Sequence, residues 1–128
     1  MDDARRVATN TLMRIAGKSG LEEKIITWHG VRIVIKPFLT FYEYMSVIND
    51  IVDRCCDDGG AVRTELFEIS TRASILSAYA LIRLPTDIDE LTYLLFYSDL
   101  YQTVMENVCG DQVNAVIDAS MRLLSTWR

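Results

Sequence analysis

Apolar positions along the chain switch between a helical and a strand period, and the switches mark the elements. Residues 4–16 place Ala4, Val7, Ala8, Thr11 and Ile15 at helical spacing, with Arg5, Arg6 and Arg14 elsewhere on the wheel. An amphipathic helix is expected there. Gly17-Lys18-Ser19-Gly20 follows with the composition of a flexible joint. Two placements fit this helix: an arm that docks on a neighbour, or a first helix packed on its own core. Between Lys24 and Lys36 the texture changes. Ile25, Ile26 and Trp28 precede His29-Gly30, and Val31, Ile33, Val34 and Ile35 follow it. β-branched residues around a two-residue, glycine-containing break predict a hairpin, because such turns need residues that tolerate positive φ. Pro37 ends the second strand, and two strands alone are marginal, so the hairpin must lean on helices or gain a strand from a partner.

The rest of the chain reads as helices between caps and breaks. Thr40-Phe41-Tyr42-Glu43 matches the capping box, in which the threonine oxygen and the glutamate side chain satisfy free amides at a helix start, with Leu39 and Tyr44 as the accompanying staple. This helix is expected to reach about Cys55 and to bury Phe41, Tyr44, Met45, Ile48 and Val52, before Asp57-Asp58-Gly59-Gly60 breaks it. Thr64 is the expected N-cap of a second long helix through Leu66, Ile69, Ala73, Leu76 and Ala80, stopped by Leu84-Pro85. Thr86 is expected to cap a short helix from Ile88 to Tyr97, and Ser98-Asp99 to open Leu100 to Val108. After Gly110-Asp111 a last helix carries Val113, Val116, Ile117, Met121 and Leu124 on one face.

The fold class that follows is mainly α (α+β), with five to six helices and one short β-hairpin near residues 24–36. Residues 1–20 form an amphipathic arm or helix and residues 21–128 a single helical domain. A chain of 128 residues, half of them hydrophobic and only two of them proline, can bury one core. No stretch reaches the roughly 18 apolar residues that cross a bilayer. Cys55, Cys56 and Cys109 are odd in number, and two are adjacent, where a mutual disulfide would be strained, so a reducing compartment fits best. Charge is uneven: residues 1–36 hold seven Lys/Arg against four Asp/Glu, or +3, whereas residues 37–128 hold six against fourteen, or −8. Such an acidic body repels phosphates over most of its surface, which makes nucleic acid an unfavourable partner.

Each candidate chemical motif has a structural explanation. His29 is the only histidine, so a histidine triad or a two-histidine metal site cannot form within one chain. Adjacent Cys55 and Cys56 cannot both face one tetrahedral ion, and one is expected to pack inward with the other near the surface. Asp57-Asp58-Gly59-Gly60 lacks the alternating oxygen ligands and terminal glutamate of a calcium loop. Asp87, Asp89 and Glu90 fall in a first helical turn, where the helix dipole favours negative charge. Gly17-Lys18-Ser19 lacks the earlier glycine of a phosphate loop, since that position is Leu12. No enzymatic activity and no cofactor or metal are expected. Tyr93, Phe96, Tyr97 and Tyr101, with Leu94, Leu95 and Leu100, form the densest apolar stretch. It is too apolar all round for one small domain to bury, so its surplus is an interface candidate.

The run Val31 to Tyr44, Val-x-Ile-x-Ile-Lys-Pro-Phe-Leu-Thr-Phe at its heart, resembles the opening of small proteins encoded among the morphogenesis genes of tailed bacteriophages. The likeness continues through Ile48-Asn49-Asp50-Ile51-Val52, the acidic turn at Asp57, Thr71 to Ala80, Leu84-Pro85, Asp89-Glu90-Leu91 and Tyr97-Ser98-Asp99-Leu100-Tyr101, covering about residues 24–122. It consists of core and cap patterns. The resemblance implies a tail-assembly chaperone or an accessory head, neck or tail component, in either case a non-enzymatic binder. Residues 1–20, before the hairpin, depart from that pattern.

The expectation is therefore a phage structural or assembly protein that binds other virion subunits or itself, in the cytoplasm of the bacterial host, either during assembly only or also as a virion component, with no membrane partner. An alternative of another class is a small acidic inhibitor or adaptor that occupies a basic surface on a host factor. The residues expected to carry partner binding are Arg5, Arg6, Val7, Leu12 and Arg14 on the arm, Tyr93, Phe96, Tyr97 and Tyr101 in the body, and Trp127 near the chain end.

Overall fold

The computed structural model describes residues 6–17 and 21–126. Along these the chain forms α1 (Thr9–Ala16), β1 (Lys24–Trp28), β2 (Val31–Ile35), α2 (Phe41–Arg54), a 3-10 turn (Thr64–Leu66), α3 (Phe67–Tyr79), α4 (Ile88–Phe96), α5 (Leu100–Met105) and α6 (Gly110–Thr126). The fold is mainly α with one short hairpin.

The hairpin forms where the alternating pattern places it. β1 and β2 pair antiparallel from Lys24 opposite Ile35 to Trp28 opposite Val31. Positive φ at both His29 (46°) and Gly30 (80°) gives the turn the mirror-image twist that matches right-twisted strands. Ile33 and Ile35 point into the core, whereas Ile25, Thr27 and Arg32 on the opposite face are exposed. The hairpin leans on the helices through both ends. At its base, Lys36 N donates to Tyr79 O (2.8 Å) and Leu81 N donates to Val34 O (3.0 Å), so the residues after α3 add a bridge between Ile35 and Ala80. At its tip, Trp28 Nε1 donates to Asp99 Oδ1 at 2.8 Å.

α2 begins on the capping box: Glu43 N donates to Thr40 Oγ1, and Thr40 N donates to the Glu43 carboxylate. Leu39 is buried, and Tyr44 packs against the same core. The buried face of α2 is Val47, Ile48, Ile51 and Val52, so the expected burial of Phe41 and Met45 is corrected: Phe41 is 73% exposed and Met45 is also exposed. α3 and α6 pack on α2 from the Val47–Ile51 side, and that choice turns Phe41 outward.

α3 is the central helix. It is buried almost all round, through Ser70, Thr71, Ala73, Ser74, Ile75, Leu76 and Tyr79, and it packs against α2, α4 and α5. Two expectations about it are corrected. Thr64 opens the 3-10 turn and does not cap α3, and α3 stops at Tyr79 because Ala80 is extended to bridge β2, ahead of Leu84-Pro85. Asp87, not Thr86, caps α4: its Oδ1 accepts from the amides of Asp89 and Glu90, both at 2.9 Å. Asp99 occupies the N-cap position of α5 without a capping hydrogen bond, because its carboxylate serves the hairpin tip. In α6 Val113, Val116 and Ser120 are buried, while Met121 of the expected face is exposed.

A polar junction closes the core. Gln112 Oε1 accepts from the Leu39 amide (2.8 Å) and from the Tyr79 hydroxyl (2.7 Å), and its Nε2 donates to Leu39 O (3.1 Å). One side chain on α6 thereby ties the β2–α2 connection to the end of α3 and satisfies the fully buried Tyr79 hydroxyl. Burial raises the Tyr79 hydroxyl pKa, which keeps it protonated as the donor.

Candidate functional site

The ten residues expected to bind a partner fall into three groups. Arg5 and Trp127 lie outside the described residues. Arg6, Val7, Leu12 and Arg14 lie on or just before α1 and are all exposed. The expected helix over 4–16 is corrected to Thr9–Ala16, since Val7 and Ala8 precede it and Ala8 is extended. Among the described residues α1 buries none of its side chains. Leu12 is 53% and Ile15 77% exposed, and at i and i+3 they lie on one side of the helix. Met13 and Ala16 border an open groove against Leu21, Phe38 and Val108. The residues from Arg6 to Gly17 contain two arginines and no acidic residue, so this segment is basic, with Arg14 and the exposed Leu12 and Ile15 on its helix.

The aromatic stretch divides. Phe96 and Tyr101 turn inward around Arg72 of α3, whose guanidinium carbon lies 4.4 Å from the Phe96 ring centroid and 4.9 Å from that of Tyr101. The same guanidinium donates to Leu95 O at 2.9 Å, satisfying a free carbonyl in the last turn of α4. Phe96 and Tyr101 are thus half-buried around Arg72, where they have a structural role. Burial raises the Tyr101 pKa against the opposing pull of Arg72. Tyr93 and Tyr97 turn the other way, 66% and 75% exposed. Their rings stack with centroids 6.2 Å apart and planes at 30°.

Around that pair α4 presents a coherent outer face. Asp89, Tyr93 and Tyr97 succeed one another at i, i+4 and i+8, Glu90 lies beside them, and Pro85, Asp89, Glu90, Tyr93 and Leu94 line a shallow open groove. The face thus combines two rigid aromatic rings with two exposed carboxylates. Stacked tyrosines supply large contact area with little rotamer entropy to lose, which suits them to anchor a protein partner. The sequence pattern named the tyrosines but assigned Asp89 and Glu90 only to the helix dipole. Their i+4 and i+7 relations to Tyr93 and Tyr97 were the available signal. A second exposed aromatic pair, Phe41 and Tyr42, was missed; two adjacent aromatics on a helix cannot both face one core.

The other polar clusters are engaged in the fold. Asp50 Oδ2 accepts from Ser74 Oγ (2.6 Å) and from Arg54 Nε (3.1 Å), in an open cleft shared with Lys36, Glu43 and Ser46. His29 Nε2 lies 3.3 Å from Asp99 Oδ1. The hydrogen bond from Trp28, and then that from His29, hold the Asp99 carboxyl below its ordinary range. Cys55 is buried and Cys56 half-buried, and burial pushes the Cys55 thiol up, away from the reactive thiolate. Asp57 Oδ1 accepts from the amides of Gly59 and Ala61, so the acidic run is a closed turn. Among the described residues no group of three His, Cys, Asp or Glu could hold a metal ion, and no helix is long and apolar enough to cross a membrane. Comparison with family models, with curated proteins and with solved structures returned no match to this chain.

Proposed function

We propose that this chain is a non-enzymatic assembly protein that joins protein subunits, acting in bacteriophage morphogenesis on head, neck or tail proteins or on copies of itself. The single observation that carries the binding role is the pair of unpartnered faces: an amphipathic α1 without a buried side chain, and the stacked Tyr93–Tyr97 pair on α4. Exposed apolar and aromatic area arranged in this way loses free energy in water and regains it against a partner. The phage setting rests on the core and cap pattern of residues 24–122. On this reading the chain acts in the bacterial cytoplasm during assembly, on subunits that enter the virion.

Mass spectrometry of purified virions and of assembly intermediates from the encoding phage tests this function. The expected result is co-purification of the chain with a head, neck or tail subunit in one of these fractions. A monomer absent from both would contradict it. The second reading, an acidic inhibitor or adaptor, is supported by the −8 carried by residues 37–128. Salt-sensitive capture of one basic host protein, with no virion subunit bound, would select that alternative.

A further inference from the structure

The two unpartnered faces carry opposite charge. α1 carries Arg14 in its last turn, follows Arg6 and exposes Leu12 and Ile15, whereas the outer face of α4 bears Asp89 and Glu90 beside Tyr93 and Tyr97. Among the described residues, none of these four charged side chains forms an ion pair within the chain. The exposed tyrosine rings are also faces on which a guanidinium can stack, as Arg72 stacks on Phe96 in the interior.

From this complementarity we propose that α1 of one copy docks on the outer face of α4 of a second copy, so that the chain assembles head to tail. This rests on the reading of the chain as an assembly protein and names its partner. Symmetric alternatives are electrostatically worse: α1 against α1 brings arginines together, and α4 against α4 brings Asp89 and Glu90 together. A contact between two different faces leaves one free α1 and one free α4 on every dimer, so it propagates until a ring closes or a filament grows. An eight-residue helix covers less than the roughly 800 Å² per partner of a standard stable interface. A single contact is therefore weak, and assembly depends on concentration, on salt and on closure.

Two charge-reversed chains test the pairing by sedimentation velocity at low and high salt. One carries Arg6→Glu and Arg14→Glu, so both of its faces are acidic; the other carries Asp89→Lys and Glu90→Lys, so both are basic. Each alone is expected to assemble at least tenfold more weakly than the wild type, and an equimolar mixture is expected to recover assembly, because each α1 then meets an α4 of opposite charge. All four positions are exposed, and circular dichroism confirms that each variant folds. A third variant, Tyr93→Ser with Tyr97→Ser, is expected to lose assembly without a change of charge. Variants that assemble like the wild type, or a mixture no better than its components, would overturn the pairing. A wild-type chain that stays monomeric yet captures a virion subunit would also overturn it while leaving the assembly function standing. A monomer that captures none would remove both.

Discussion

Gln112 shows how much of this fold hangs on single polar side chains. It serves the Leu39 amide and the Tyr79 hydroxyl with one oxygen, and nothing in the local sequence pairs those three residues. Gln112→Ala strands two donors in the interior, and a buried unsatisfied group costs about 1–3 kcal/mol. The variant is expected to lose about 2–4 kcal/mol of unfolding free energy in urea, whereas Gln102→Ala, at an exposed position on α5, is expected to change it by less than about 0.5 kcal/mol. Glu43 makes a pH-dependent contribution. The Lys36 ammonium, and then the Thr40 amide, hold its carboxyl below the ordinary 4.5. The folded pKa lies below the unfolded one, so this stabilisation is complete above the unfolded value and disappears as pH falls through the folded value. Between pH 6 and pH 3 the urea midpoint of Glu43→Gln is expected to fall less than that of the wild type, with half-exposed Lys36 and Glu43 keeping the difference small.

At the scale of elements, what was legible in the sequence is what short-range chemistry decides. The hairpin turn between Trp28 and Val31 and the capping box of α2 depend on residues within four positions of each other, and both fall where the pattern places them. Gly30 at φ 80° makes the turn sensitive to a side chain, so Gly30→Val is expected to lower the melting temperature and to cost about 1–2 kcal/mol. The buried side of α2 was legible in part. Ile48 and Val52 are buried and Tyr44 packs on the core, whereas packing by α3 and α6 buries Val47 and Ile51 and leaves Phe41 and Met45 outside. The same holds for the end of α3, set by pairing of Ala80 with Ile35. The candidate site follows this division. The aromatic stretch was visible as a cluster, but Arg72, more than twenty residues away, decides that Phe96 and Tyr101 turn inward and Tyr93 and Tyr97 outward.

For the whole molecule, one buried cluster draws on the hairpin and on α2 to α6, while α1 contributes no buried residue to it. An isolated helix of eight residues is below the length that is stable in water, so α1 gains most from a partner. Amide hydrogen exchange of the assembled chain against its dilute monomer measures directly where that partner binds. Slowed exchange is expected in Thr9–Ala16 and in Ile88–Phe96, with the core of α3 protected equally in both states. Protection gained at other surfaces, with α1 exchanging as fast in the assembly as in the monomer, would contradict the pairing of α1 with α4.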